Sequence, residues 1–129
     1  VTADEFAVFQ NAGYMGLYGG MTVDDIHRKK SLEVGQKILD YMGSTELIAN
    51  LFRISQTEEK LRKDSVNSAD TATAVHYKVG SEVREAIEKI GGTMPEDLPT
   101  PEKSIAQLEK EQLQRLKQQA LDGQLMLDE

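Results

Sequence analysis

Gly43-Ser-Thr-Glu-Leu-Ile-Ala-Asn-Leu-Phe-Arg-Ile-Ser-Gln-Thr-Glu-Glu-Lys-Leu-Arg-Lys63 reads as one helix with two faces. Leu47, Ile48, Leu51, Phe52, Ile54 and Leu61 recur at helical spacing and form an apolar arc, the expected core face. Glu46, Asn50, Arg53 and Thr57 fall in line along one edge of it, at i, i+4, i+7 and i+11. A packing helix needs no ordered polar line beside its stripe. The line is therefore a buried polar network, a recognition edge or a solvated boundary face, and physics alone favours the solvated face. In the second half Ser55, Glu58 and Arg62 take over the arc, and Glu58–Arg62 and Glu59–Lys63 are i,i+4 pairs of favourable orientation. The helix is expected to be buried at its start and solvated at its end.

A chain of 129 residues makes one domain, here with room for a projecting arm. Four of its seven aromatic residues, Phe6, Phe9, Tyr14 and Tyr18, lie in the first eighteen positions and predict a compact aromatic cluster there. The absence of Cys excludes disulfides, thiol catalysis and zinc–thiolate sites, and suits a reducing cytoplasm. No apolar run is long enough to span a membrane or act as a signal peptide. The chain opens at Val1 without an initiator Met, as a fragment or processed product would. A net charge of −7 repels phosphate at long range and makes a poor general DNA binder. The local basic clusters, His27 to Lys30 and Lys60 to Lys63, are read as cations complementing helix C-termini.

Thr2 with Glu5 is a capping-box pattern that opens a short helix, expected to close near Gly13. Tyr14 to Gly20 is then expected to be a glycine-rich loop, without the spacing of a phosphate cradle. Thr22 with Asp25 starts a helix to about Lys30, and a further helix is expected from about Leu32 to Met42. This pair resembles a helix-turn-helix only superficially, since Gln36 and Lys37, beside Glu33 and Asp40, are its only candidate base readers. Gly43 ends that helix and Ser44 is expected to cap the next.

Ser68 caps a long helix from about Ala69 to Ile90, with a seam of Ala72, Val75, Val79, Val83, Ala86, Ile87 and Ile90. Gly80 inside it marks a close helix crossing, because a mid-helix Gly otherwise costs about 1 kcal/mol. His76 reads as a hydrogen-bonded interface residue rather than a ligand. Three prolines stiffen 93–101 into an extended connector, with Met94 and Leu98 as candidate pins to the core. Thr100 and Pro101 are expected to start a last helix running to about Asp122, with a ragged tail over 123–129. Its seam of Ile105, Leu108, Gln112, Leu116 and Gln119 contains two glutamines, so it projects, frays or packs on a partner chain.

The expected fold is all-α: an irregular bundle of five or six helices centred on 44–63 and 69–90. A core domain would span 1–100, and a C-terminal helical segment, 101–129, would contact a second copy or another partner. Nothing in the chain reads as an enzyme. It has two distant His and no convincing nucleophile, and Asp24 and Asp25 beside His27 sit in a first helical turn where acids are expected. No metal or cofactor is expected.

Several stretches in order resemble the C-terminal half of the bacterial DNA-damage-inducible protein D family. They include Phe9-Gln-Asn-Ala-Gly-Tyr-Met-Gly-Leu-Tyr-Gly-Gly20, Gln36-Lys-Ile-Leu-Asp-Tyr-Met-Gly-Ser-Thr-Glu-Leu47, Ala49-Asn-Leu-Phe-Arg-Ile-Ser-Gln-Thr-Glu-Glu-Lys-Leu61 and Gly91-Gly-Thr-Met-Pro-Glu-Asp-Leu-Pro-Thr-Pro101. The resemblance runs from about residue 5 to 109. It implies a cytoplasmic protein expressed in the SOS response, with an N-terminal domain similar to those of baculovirus repeated-ORF and phage antirepressor proteins. It also implies modulation of the RecA recombinase filament on single-stranded DNA. No catalytic residue carries over. On this reading the partner-binding candidates are Asn50, Arg53, Gln56 and Thr57, with Leu17 and Tyr18 as a second feature. The rival readings are a DNA-binding regulator of antirepressor type, using Arg28, Lys29, Lys30 and Lys37, and a dimerisation domain using 102–122.

Overall fold

The computed structural model describes residues 1–123; the remainder of the tail expected to be ragged, 124–129, lies outside the described residues. Five α-helices follow one another: α1 (Ala3–Leu17), α2 (Val23–Lys29), α3 (Ser44–Lys63), α4 (Ala69–Lys89) and α5 (Ile105–Leu121). Two short 3-10 turns, Ile38–Tyr41 and Pro95–Asp97, complete the helical content, and there is no strand among the described residues. The fold is all-α, as expected.

The capping boxes at Thr2–Glu5 and Thr22–Asp25 are both formed, each side chain taking the other's backbone N–H. Yet α1 does not close near Gly13. It continues through Tyr14, Met15 and Gly16 to Leu17, so most of the expected loop is helix. The reason lies in α4, whose backbone crosses here. A methyl group on Gly80 would stand 2.7 Å from the Gly13 carbonyl oxygen and 2.9 Å from the Leu17 nitrogen. One on Gly16 would strike the Tyr77 carbonyl and lie 2.9 Å from the Ser81 nitrogen. The glycines of both helices therefore permit contact between backbones. Gly80 marks a crossing as expected, but the closest pair is α1 with α4, with α3 laid against them.

The expected helix over 32–42 is replaced by a loop and the 3-10 turn. Ser31 stops α2 in the left-handed region at φ 56°. His27 Nε2 then donates to the Gln36 carbonyl, and the Gln36 side chain accepts from Glu33 N and donates to the Tyr41 hydroxyl. These local bonds use groups that a helix would have needed. Gly43, not Ser44, is the N-cap of α3, and it supplies no side-chain bond. Ser65, at φ 52°, follows the end of α3.

The C-terminal helix starts four residues later than expected. Ser104 with Gln107 forms the capping box, and Thr100 and Pro101 stay outside. The connector before it is anchored by buried Pro95 and by Arg84, which grips Glu96 through two 2.8 Å bonds and also donates to the Leu17 carbonyl. Met94 and Leu98 are half-buried.

The apolar core gathers Tyr14, Leu17, Tyr18, Ile26, Ile38, Met42 and Val83. The N-terminal aromatics divide into two pairs: Phe6 stacks on Phe9 at 6.2 Å and Tyr14 tilts on Tyr18 at 5.9 Å. No described helix is long and apolar enough to cross a membrane.

Candidate functional site

The polar line of α3, not its apolar arc, is the most deeply buried part of the helix. Glu46, Asn50, Arg53 and Thr57 are the buried residues of this helix, each at most 1% exposed. Ile48, Leu51 and Phe52, assigned by periodicity to the core, are 67%, 51% and 54% exposed. The solvated boundary face is thus corrected to a buried network. Polar groups on α1, on the segment after α2 and on α4 meet the line and satisfy all of its buried side-chain atoms but Arg53 Nε, which no feature of α3 alone reveals.

At one end Lys30 Nζ reaches Glu46 Oε1 at 2.7 Å, in an ion pair with side chains 5% and 1% exposed. Lys30 also donates to the Tyr41 carbonyl. Tyr18 donates its hydroxyl to Glu46 Oε2 at 2.5 Å and accepts from Asn50 Nδ2 at 3.0 Å. Burial, and then the neighbouring carboxylate, hold the Tyr18 proton on its oxygen far above the ordinary phenol range. Asn50 Oδ1 accepts from Arg53 NH2 at 2.9 Å, and Arg53 NH1 donates to His76 Nε2 at 2.6 Å. His76 in turn donates from Nδ1 to the Phe9 carbonyl at 2.8 Å. Thr57 closes the line by donating to the Arg53 carbonyl at 2.8 Å.

Arg53 lies with its guanidinium 4.5 Å from the centroid of the Tyr14 ring. Its Nε is buried with no hydrogen-bond partner. Burial pulls its pKa down, but a guanidinium keeps its charge in proteins. Among the described residues no carboxylate pairs with it, and the one that is buried, Glu46, is taken by Lys30. A neutral imidazole, an amide oxygen and a π face hold this cation instead. Burial first, and then the Arg53 charge, push the His76 pKa down to about 4. Gly13 makes the room: a methyl group there would fall on the His76 ring and 2.5 Å from Arg53 NH1.

This arrangement joins three helices and offers no activated nucleophile. His76 is a hydrogen-bonded interface residue, as its sequence position suggested. Among the described residues no group of three or more His, Asp or Glu is placed to hold a metal ion.

Of the partner-binding candidates only Gln56 is exposed. Asn50, Arg53, Thr57, Leu17 and Tyr18 are each at most 1% exposed, so in this conformation they offer a partner no surface. The basic candidates divide in the same way. Lys30 is inside the network, Arg28 pairs with Asp25 at 2.6 Å, and Lys29 lies 4.0 Å from Asp97. Lys37 is exposed. Of the apolar arc that periodicity identified, Ile48, Leu51 and Phe52 face outward, whereas Leu47 packs on the core and Ile54 and Leu61 are half-buried.

The family model for the DinD C-terminal domain matches residues 1–108. The chain belongs to the DinD C-terminal domain family. Over 108 residues it is 61% identical to the DNA damage-inducible protein D of Escherichia coli (strain K12), covering 84% of this chain and 39% of that protein. The chain thus spans about two fifths of the length of that relative. No solved structure matches it. The three helices of the network and Lys30 lie inside the matched DinD region, and α5 beyond its first turn lies outside.

Proposed function

We propose that this domain is a non-catalytic protein-contact module of a cytoplasmic, SOS-induced protein, and that it modulates a RecA-type recombinase filament on single-stranded DNA. The observation that supports this reading is how the fold distributes its charge. The cations at the end of α2 lie beside Asp25, Glu46 and Asp97, so that corner of the fold is close to neutral and the net acidity lies elsewhere. On α4, Asp70, Glu82, Glu85 and Glu88 are exposed and form no ion pair among the described residues, against two such cations, Lys78 and Lys89, which leaves the exposed side of the helix net acidic. A filament that holds single-stranded DNA presents cations to phosphate. An acidic helical face complements such a surface and steers association to it.

A strand-exchange assay tests the proposal, using this chain and its Glu85→Lys/Glu88→Lys variant. The chain should inhibit, less so at higher salt, and the charge-reversed variant should inhibit more weakly. No inhibition by the unaltered chain, or equal inhibition by the variant, overturns it. Salt-sensitive duplex binding that is lost on Lys37→Ala would instead favour the antirepressor-type regulator.

A further inference from the structure

We infer that the outward face of α3, with the groove between α3 and α4, is a docking surface for α5 of a second copy of this chain. Ile48, Leu51 and Phe52 stand on the side of α3 opposite the buried polar line, and all three are more than half exposed. A helix whose first half turns Glu46, Asn50 and Arg53 inward and Ile48, Leu51 and Phe52 outward has a second surface to cover. Beside Phe52 the apolar face continues into a groove of about 570 Å³, with Val79, Val83 and Ala86 on one wall and a charged rim that includes Glu59, Lys63 and Glu82.

The same chain carries a matching face without a cover. No residue of α5 is buried, although Leu108, Leu113 and Leu116 lie within one arc of it and are 44%, 61% and 42% exposed. Its main contact with another helical element is to the 3-10 turn at Ile38–Tyr41, and Lys103 of the preceding segment pairs with its Glu111 at 2.6 Å. Seventeen helical residues extend about 25 Å, short enough to lie along the twenty residues of α3. Reciprocal exchange of α5 between two copies covers both apolar faces twice and closes the assembly at two chains.

The exposed area favours a second copy as the occupant. The chain exposes 8946 Å², whereas a compact monomer of 14.4 kDa exposes about 6,800 Å². A surplus of about 2,000 Å² per chain is of the size that permanent homodimers hide.

The test is sedimentation equilibrium of the full chain and of two variants, Leu51→Asp/Phe52→Asp and Leu108→Asp/Leu116→Asp. All four positions are exposed, so both variants should keep the helical circular dichroism of the parent. The parent should be a dimer, and each variant alone should associate at least about 30-fold more weakly. Mixing the two variants should restore association, because an intact α5 from one then meets an intact α3 face from the other. A monomeric parent overturns the inference. So does a mixture no stronger than its components, the outcome expected if α5 pairs with α5 or α3 with α3.

Discussion

Arg53 NH1 stands 2.6 Å from His76 Nε2, a cation donating to an imidazole that can accept only while it is neutral. The other ring nitrogen is committed to the Phe9 carbonyl, so the fold fixes the Nδ1–H tautomer. Protonating His76 would place two cations face to face in an interior that already carries the unpaired charge of Arg53.

The pH dependence of stability follows from this pair. The His76 pKa is pushed from 6.5 down to about 4 by the fold, so below pH 6.5 the unfolded chain binds a proton that the folded chain refuses. Stability is therefore level above that pH and falls as pH drops from 6.5 towards 4. Urea denaturation should show the domain about 2 kcal/mol less stable at pH 5 than at pH 7. In His76→Gln the loss over the same interval should largely vanish.

Removing the cation should act on the same titration. Arg53→Met keeps most of the packing volume but deletes the charge that faces His76. Because burial is the larger cause of the shift, the His76 pKa should rise only part of the way from about 4 towards 6.5. An NMR titration of the imidazole resonances reads this directly. Arg53→Ala, like Arg53→Met, leaves Asn50 Oδ1 and His76 Nε2 without their donor, but it also opens a cavity and should cost about 3–5 kcal/mol. A loss of binding in that variant would report unfolding rather than a lost contact.

The sequence was legible wherever a signal was local. The caps at Thr2, Thr22 and Ser68, the extents of α3 and α4, and the crossing at Gly80 all follow from residues within one turn of the feature. The signals that failed had two physical outcomes and a distant arbiter. Gly13 and Gly16 look like helix stops until α4 is seen to need their missing side chains. Residues 32–42 look helical until the Gln36 side chain is seen to bond locally. The polar line of α3 was visible as a line, but periodicity defines a face without saying whether it turns inward. Tyr18, Lys30 and His76, each at least sixteen residues from the group it meets, decide that it does.

The helix crossing makes a sharp prediction about glycine. Ala is the better helix former by about 1 kcal/mol, so in an open helix Gly80→Ala would stabilise. Here the added methyl group meets backbone atoms at 2.7 and 2.9 Å, and backbone cannot turn aside as a side chain can. Gly80→Ala should therefore destabilise by about 1–3 kcal/mol in thermal or urea melts. Gly43→Ser should do the reverse by a few tenths of a kcal/mol, because that position is open, has φ −72° and caps α3 with no side-chain bond.

Lys29 and Lys30 are adjacent in sequence but have opposite structural roles, and two single substitutions separate them. Lys30 Nζ is enclosed with Glu46 and bonded to the Tyr41 carbonyl, so Lys30→Met leaves a buried carboxylate without its cation. That change should cost about 3–5 kcal/mol and lower the melting temperature accordingly. Lys29 is half exposed and only 4.0 Å from an exposed Asp97, so Lys29→Met should change stability by less than about 0.5 kcal/mol. The same pair guards any nucleic-acid experiment against misreading. Weaker DNA binding in Lys30→Met with a lowered melt reports damage to the network, whereas weaker binding in Lys29→Met with an unchanged melt reports a phosphate contact.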